Sequence, residues 1–318
     1  MRSKCFLLFA IIVCFAAAGA TAQNRPPTPR ASQKAEVVQT IGSTQVSILY
    51  SRPLVKGRTI FATAPSEMAA RAKGEATLDN SMQHKEGEPL VPYGHVWRAG
   101  ANEATVFSTT DDLLVNGKPL PAGKYSLHMI PTNGEWTIIF NKDAGQWGSF
   151  SYDAAKDALR VMAKPEASSA HSELLTYSID NVTDDSATIV LAWDKVRVPF
   201  TVKVKDVVGA TIGHLREFVA EADANDPGAP LAAGNYAKAN KRNSEANVWF
   251  EMALKRSEAK VAQKETMKDL SQQATILMNL GRKADAVKAA ERGVVVGKAA
   301  GEDTSGLEKQ IAKWKLSS

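Results

Sequence analysis

The residues best suited to binding or catalysis lie in one short stretch, from Trp97 to Glu103. Arg98 and Glu103 carry opposite charges, and Trp97 offers a flat apolar face for a ligand to pack against. Asn102 adds an amide group that both donates and accepts hydrogen bonds, and Gly100 gives the loop backbone freedom. The pattern predicts a polar pocket at the edge of a β-sheet, where the loop enters a strand.

Three interpretations of this stretch stay open. In the first, Arg98 and Glu103 line a pocket for a small polar ligand or the end of a peptide. In the second, the protein is a hydrolase-like enzyme in which Glu103 is the general acid or base and Arg58 or Arg98 stabilises charge. The second carboxylate that such an enzyme needs would be Asp143 or Asp153. In the third, Arg98 pairs with Glu103 and the protein is a structural scaffold without a ligand.

Further basic and aromatic residues extend the candidate site. Arg58 follows a turn that also contains Arg52, and Lys142 closes a predicted strand. If these cations converge on Glu103, they form the mouth of an anion-binding site. Trp147 lies between two nearby glycines, so its ring could stack on a sugar, although packing in the core is the alternative.

Several chemical classes are excluded by the sequence. The five histidines are not closely spaced, so no metal site is predicted. There is no phosphate-binding loop and no dinucleotide fingerprint, so no cofactor is predicted. No nucleophile elbow is present to support a Ser-His-Asp arrangement. The formal net charge is +5, but lysines and arginines do not cluster, which argues against nucleic-acid binding.

The first 22 residues have the pattern of a secretory signal peptide. A basic start at Arg2 and Lys4 precedes an apolar stretch, which ends in the small residues Ala20 and Ala22. Both cysteines of the chain lie within it, so the mature protein would have none. We therefore expect an exported, periplasmic (or extracellular) protein with no transmembrane segment after cleavage. Residues 23–34, rich in proline and arginine, are predicted to form a disordered tether.

Residues 35–205 are predicted to form an antiparallel β-sandwich, jelly-roll-like in type. Apolar side chains alternate with polar ones, as in the run from Val196 to Val204, and turn signals such as Asn116-Gly117 separate the strands. Residues 62–88 interrupt this pattern. They are polar and poor in bulky side chains, so we expect an inserted surface loop.

Residues 206–318 change to helical spacing, so the whole chain is predicted to be α+β. Ala246, Phe250 and Leu254 repeat in type at Ala286, Ala290 and Val294, which lie 40 residues further along. This offset predicts a small tetratricopeptide-like helical domain whose groove binds a protein partner, with a plain helical bundle as the alternative.

Three longer motifs resemble one bacterial envelope family. They read YSRPLVKGRTIF, VPYGHVWRAGANEATVF and SATIVLAWDKVRVPF, and they occur in that order within about residues 31–204. The family that they resemble is the domain of unknown function 2911. The resemblance implies an envelope location but no reaction, because the family has no assigned activity. Our leading hypothesis is an exported binding protein of unknown specificity.

Overall fold

The chain folds into antiparallel sheets followed by helices, which confirms the α+β fold class. The computed structural model describes residues 28–63, Thr77, Asp79 and 86–316. The predicted signal peptide, the first residues of the tether and most of the insertion lie outside the described residues. In the described part the strands are β1 (Gln33–Ile41), β2 (Thr44–Arg52), β3 (Phe61–Ala62), β4 (Val91–Pro92), β5 (Thr105–Thr109), β6 (Leu113–Val115), β7 (Lys118–Leu120), β8 (Gly123–Ile130), β9 (Trp136–Asn141), β10 (Asp157–Ala163), β11 (Glu166–Asp180) and β12 (Ser186–Val204).

Two sheets face each other across one core. The larger sheet has the order β1-β2-β5-β8-β9-β10, and the smaller has the order β11-β12-β6-β7. Both contribute to a single hydrophobic cluster, and the predicted alternation is evident in β12, where Val198, Phe200 and Val202 are buried. The intervening side chains of that strand point outward, as the period of two requires.

Strand β8 departs from the predicted pattern, since both of its faces are covered. Leu127 and Met129 enter the core as expected, but Ser126 and His128 on the opposite face are also fully buried. The segment after β9 covers them: the Gln146 amide donates a hydrogen bond to the Ser126 hydroxyl over 3.2 Å. Alternation alone does not reveal this cover, because it comes from a loop.

The ends of the insertion are joined by a short parallel pair. Strands β3 and β4 pair through Phe61 with Val91, so the chain leaves and re-enters the sandwich at one place. Two described residues inside the insertion are packed: Thr77 bridges to Val96 and is only 5% exposed, and the side chain of Asp79 is 7% exposed. At these two positions the insertion is not the open surface loop that its composition suggested.

Six helices follow in the described part of the chain. They are α1 (Val207–Glu221), α2 (Gly228–Ala239), α3 (Asn243–Gln263), α4 (Met267–Asn279), α5 (Lys283–Ala299) and α6 (Ser305–Leu316). Two helical hairpins, α2–α3 and α4–α5, have equivalent turns, with positive φ at Lys241 (61°) and Gly281 (77°). These turns are 40 residues apart, as the sequence offset predicted. The tetratricopeptide-like assignment itself stays a prediction.

Helix α1 packs against one end of the sandwich. Its first turn is capped by Asp206, and Val207 packs against the sandwich core. The turn between β1 and β2 also contacts the helix, through a 2.8 Å hydrogen bond between the hydroxyls of Ser43 and Thr211. None of the helices in the described ranges combines the length and apolarity needed to cross a bilayer.

Candidate functional site

An aromatic cluster forms the floor of the candidate site, at the end of the core away from the helices. The rings of Trp97 and Trp193 are stacked, with centroids 5.8 Å apart and planes at 17°. Phe61 packs edge-on against both rings and against Trp136. Trp97, Trp136 and Trp193 are each at most 2% exposed, so all three are core residues, and two of them also reach the cavity described below.

The loop from Arg98 to Glu103 is fixed by its own backbone. Ala99 and Asn102 have positive φ angles of 51° and 60°, which fold the loop tightly between Trp97 and β5. The Trp97 indole donates to the Gly100 carbonyl over 3.1 Å, and the Thr105 hydroxyl donates to the Ala99 carbonyl over 3.0 Å. The loop therefore presents its side chains from a rigid support.

One of our interpretations paired Arg98 with Glu103, and this pairing is wrong. The partner of Arg98 is Asp79 of the insertion, with 2.8 Å between Arg98 Nη1 and Asp79 Oδ1. The other Asp79 oxygen accepts a 2.6 Å hydrogen bond from the Ser149 hydroxyl and another from the Ser149 backbone N–H. One carboxylate is thus held by a guanidinium and two further donors.

Glu103 is held by residues of the N-terminal segment. Its Oε1 lies 2.7 Å from Arg30 Nη1 and 3.6 Å from Lys34 Nζ, while the neighbouring Asn102 amide donates to the Ser32 carbonyl over 3.0 Å. Burial alone would raise the pKa of Glu103, but the hydrogen bond from Arg30 and the nearby charges outweigh it and hold the pKa below its usual value. Glu103 is therefore an ionised carboxylate near neutral pH.

A cavity of about 340 Å³ opens beside the aromatic floor. We call it the cleft. Its walls are formed by Ser32, Pro53, Arg58, Asp79, Leu90, Val91, Trp97, Arg98, Gly100, Ala101, Phe150 and Trp193. Three predicted site residues, Arg58, Trp97 and Arg98, meet here. The Arg58 guanidinium also donates to the Leu54 and Val55 carbonyls, at 2.6 and 3.1 Å, which fixes its position on the wall.

The remaining predicted site residues lie elsewhere. Glu103 lines a separate cavity of about 200 Å³ together with Lys34 and Gln146. The side chain of Lys142 is exposed, and its backbone N–H donates to the Lys156 carbonyl. Trp147 is 39% exposed and bridges to Glu103 through its backbone. The predicted cations Arg58 and Lys142 thus do not converge on Glu103, whose basic partners are Arg30 and Lys34.

Two residues that line the cleft each carry a buried donor that lacks a partner. Among the described residues, Arg98 Nε and Trp193 Nε1 are shielded from solvent and make no hydrogen bond. On the Glu103 side the unpartnered buried atoms are acceptors, Glu103 Oε2 and Gln146 Oε1. The unpartnered buried atoms therefore differ between the two cavities: they are donors in residues that line the cleft and acceptors in residues that line the smaller cavity.

His128 lies behind the site and is kept neutral. Burial lowers the pKa of His128 to about 4, and the charge of Asp79 only partly opposes this effect. Its Nε2 is 3.1 Å from the Ser126 hydroxyl, and its Nδ1 has no partner among the described residues. Within the part of the chain that the structure describes, no group of three or more His, Cys, Asp or Glu side chains is arranged to hold a metal ion.

Asp79, Ser149 and Trp193 were not singled out as ligand-binding residues by the sequence. Asp79 lies in a polar insertion without periodicity, and Ser149 lies in an irregular turn. Trp193 is a core residue that also lines the cleft. Its N–H has no partner in the described part of the chain, whereas the indole of Trp136 donates to the Thr132 carbonyl over 3.1 Å.

Comparison with known proteins gives one match. A family model described as "Protein of unknown function (DUF2911)" matches residues 32–202. No curated protein and no solved structure matches the chain. The matched range covers the sandwich except for the last two residues of β12, and it contains every residue of the cleft.

Proposed function

This chain belongs to the DUF2911 family of proteins of unknown function, and we propose that it is a binding protein whose cleft takes a small polar ligand carrying a hydrogen-bond acceptor. Family membership assigns no reaction, so the proposal depends on the cleft itself. The ligand would lie on the Trp97–Trp193 stack and accept hydrogen bonds from the wall.

The observation that carries this proposal is the pair of unpartnered donors. Arg98 and Trp193 come from different segments, yet both residues line the same cleft, and the buried Arg98 Nε and Trp193 Nε1 have no acceptor among the described residues. A buried donor that lacks an acceptor costs about 1–3 kcal/mol, so a ligand oxygen that reaches these groups recovers that free energy. The small side-chain shift that brings them into contact with a ligand is ordinary on binding.

The shape and lining of the cleft support the same conclusion. A volume of about 340 Å³ suits a small molecule, and pockets of this kind combine apolar walls with a few polar groups. Leu90, Val91 and Phe150 supply apolar wall beside the two tryptophans, and Arg58 and Arg98 supply positive charge. An anionic or strongly polar head with a flat apolar body matches this arrangement.

The geometry favours binding over catalysis by Glu103. Glu103 lines the smaller cavity, and its carboxylate forms ion pairs with Arg30 and Lys34. It is therefore poorly placed to act on a ligand in the cleft. The candidate second carboxylate, Asp143, pairs with Lys156 at 3.0 Å, and Asp153 caps a short 3₁₀ helix. Neither lines the cavity that contains Glu103.

We further propose that the protein is exported and that its helices bind a protein partner. Export rests on the signal-peptide pattern of residues 1–22, and a mature N-terminus at Gln23 is the expected product. Mass spectrometry of the protein from an envelope fraction tests this, and intact Met1 in a membrane pellet would contradict it. The partner role rests on the two helical hairpins with their 40-residue offset, which suit a tetratricopeptide-like groove.

A matched pair of tryptophan substitutions tests the proposed cleft. Trp193→Phe removes the unpartnered N–H, and Trp136→Phe removes one that is already hydrogen-bonded, from an equally buried position. A set of small carboxylates, phosphates and amides would first be screened against the wild type by NMR. We expect Trp193→Phe to weaken binding of the hits at least tenfold and Trp136→Phe to leave it within about twofold, since roughly 1.4 kcal/mol corresponds to a factor of ten.

Two outcomes would contradict the proposal. If both variants bind the hits as the wild type does, the unpartnered donors do not contact the ligand. If the wild type binds none of the compounds, the scaffold interpretation is favoured. Melting temperatures measured on all three proteins control for loss of fold.

A further inference from the structure

The carboxylate of Asp79 occupies a well-formed anion site. One oxygen forms an ion pair with Arg98, and the other accepts hydrogen bonds from both the hydroxyl and the backbone N–H of Ser149. Ser149 is fully buried, and the Asp79 side chain is 7% exposed. Charge-assisted hydrogen bonds of this kind are short and roughly twice as strong as those between neutral groups.

The donors belong to the sandwich, whereas the carboxylate belongs to the insertion. Gly148 has φ of 60°, and a Cβ at this position would lie 2.6 Å from Arg98 Nη1 and 2.8 Å from Asp79 Oδ2. The backbone therefore approaches the anion as closely as only glycine permits. Arg98 itself extends from the rigid loop that follows Trp97.

Asp79 leaves part of the donor set unused. Arg98 Nε remains without a partner, and Arg58 lines the same cleft, so the wall carries two cations against one carboxylate. Glu103, the acidic residue of the predicted site, lines the other cavity. The local charge thus favours an anionic ligand even with Asp79 in place.

We propose that this site binds carboxylate ligands and that Asp79 is a built-in competitor for the same donors. The inference rests on the proposed function and names the acceptor of the ligand as a carboxylate. A ligand carboxylate takes hydrogen bonds from Arg98 and Ser149 while its apolar body lies on the tryptophan stack. Asp79 sets the affinity, because the ligand has to displace it.

Benzoate and benzamide provide a matched probe pair of nearly equal shape, in which only benzoate is charged. Binding is measured by NMR titration and by tryptophan fluorescence in the full chain. The variants are Asp79→Ala, which empties the anion site, and Asp79→Asn, which keeps its shape but replaces one acceptor oxygen with an amide donor. Asp180→Asn, at a 45% exposed side chain on β11, controls for the lost negative charge alone.

We expect Asp79→Ala to bind benzoate at least tenfold more tightly than the wild type, with benzamide changed by less than about threefold. Benzoate should also raise the melting temperature of Asp79→Ala more than that of the wild type. Asp79→Asn should fall between the two, and Asp180→Asn should match the wild type. If Asp79→Ala does not fold, the ordering of Asp79→Asn against the wild type decides the matter.

The failures are distinguishable. If benzoate and benzamide bind every protein with the same ratio, the cleft still binds ligands but the carboxylate assignment is wrong. If phenyl phosphate gains more than benzoate on removal of Asp79, the site prefers phosphate and the inference is overturned. If neither probe binds any version and the wider screen also yields no ligand, the proposed function fails together with the inference.

Discussion

Removing either member of the Arg98–Asp79 pair should destabilise the sandwich far more than removing either member of the Arg30–Glu103 pair. One member of each pair, Arg98 or Glu103, lies on the same loop, and the N–O distances are 2.8 and 2.7 Å. They differ in burial: the Arg98 and Asp79 side chains are 20% and 7% exposed, whereas those of Arg30 and Glu103 are 38% and 32% exposed. Burial is therefore the variable that the comparison isolates.

The magnitudes follow from that difference. Breaking a buried pair strands the other charge and costs about 3–5 kcal/mol, and we expect about 3 kcal/mol for Arg98→Met because one fifth of its side chain stays in water. The double variant Arg98→Met with Asp79→Asn should recover about 2 kcal/mol of that loss. Exposed pairs contribute about 0–1 kcal/mol, so Arg30→Met and Glu103→Gln should each cost less than about 1 kcal/mol.

Double-mutant cycles on both pairs measure these free energies by urea denaturation. In melting temperature, a loss of about 3 kcal/mol corresponds to roughly 6–12 °C for a domain of this size. Equal coupling energies for the two pairs would refute the reasoning, because burial would then not govern the stability of the site. A large loss of stability on substitution of Glu103, with none on substitution of Arg98, would contradict the expected effect of burial.

Three further perturbations test particular features. Gly148→Ala should lower the free energy of unfolding by about 1–3 kcal/mol in thermal denaturation, because its φ is 60° and its Cβ would contact the ion pair. The control Gly145→Ala has open space around its Cβ and should be nearly neutral. Equal effects of the two variants would show that close packing at Gly148 does not matter for stability. Gly234→Ala should destabilise the helices by about 1–3 kcal/mol because its Cβ would lie 2.5 Å from an aromatic carbon, while Gly213→Ala, with nothing near it, should stabilise α1 by about 0.5–1 kcal/mol. The free energy of unfolding should fall as the pH falls from about 6.5 to 4, because His128 binds a proton in the unfolded chain but not in the folded chain, where its pKa is about 4. The variant His128→Gln should lose about 3 kcal/mol of this pH dependence. An unchanged slope in that variant would rule out His128 as the cause.

The sequence predicted the fold well wherever one face of a strand meets the core. Val198, Phe200 and Val202 are buried as their alternation indicated, and the change to helices occurs between Val204 and Val207. These features are local, so the period of the side chains is sufficient to find them.

The candidate site was predicted only in part. The stretch from Trp97 to Glu103 does form a tight loop beside a cavity, because its glycine, aromatic and charged residues are adjacent in the chain. The partners of its charges come from distant positions: Asp79 lies in the insertion and Arg30 in the tether. Neither segment has a periodic pattern, and a single sequence gives no measure of which distant charges meet.

The hairpin of β1 and β2 separates the cleft from the helices. Its turn at Ser43 contacts helix α1, whereas Ser32 and Pro53, beside its open end, line the cleft. Nine residue pairs join the two strands, which corresponds to roughly 30 Å along the sheet. Immobilising the protein through its helices should therefore leave the cleft accessible for biosensor measurements on small ligands.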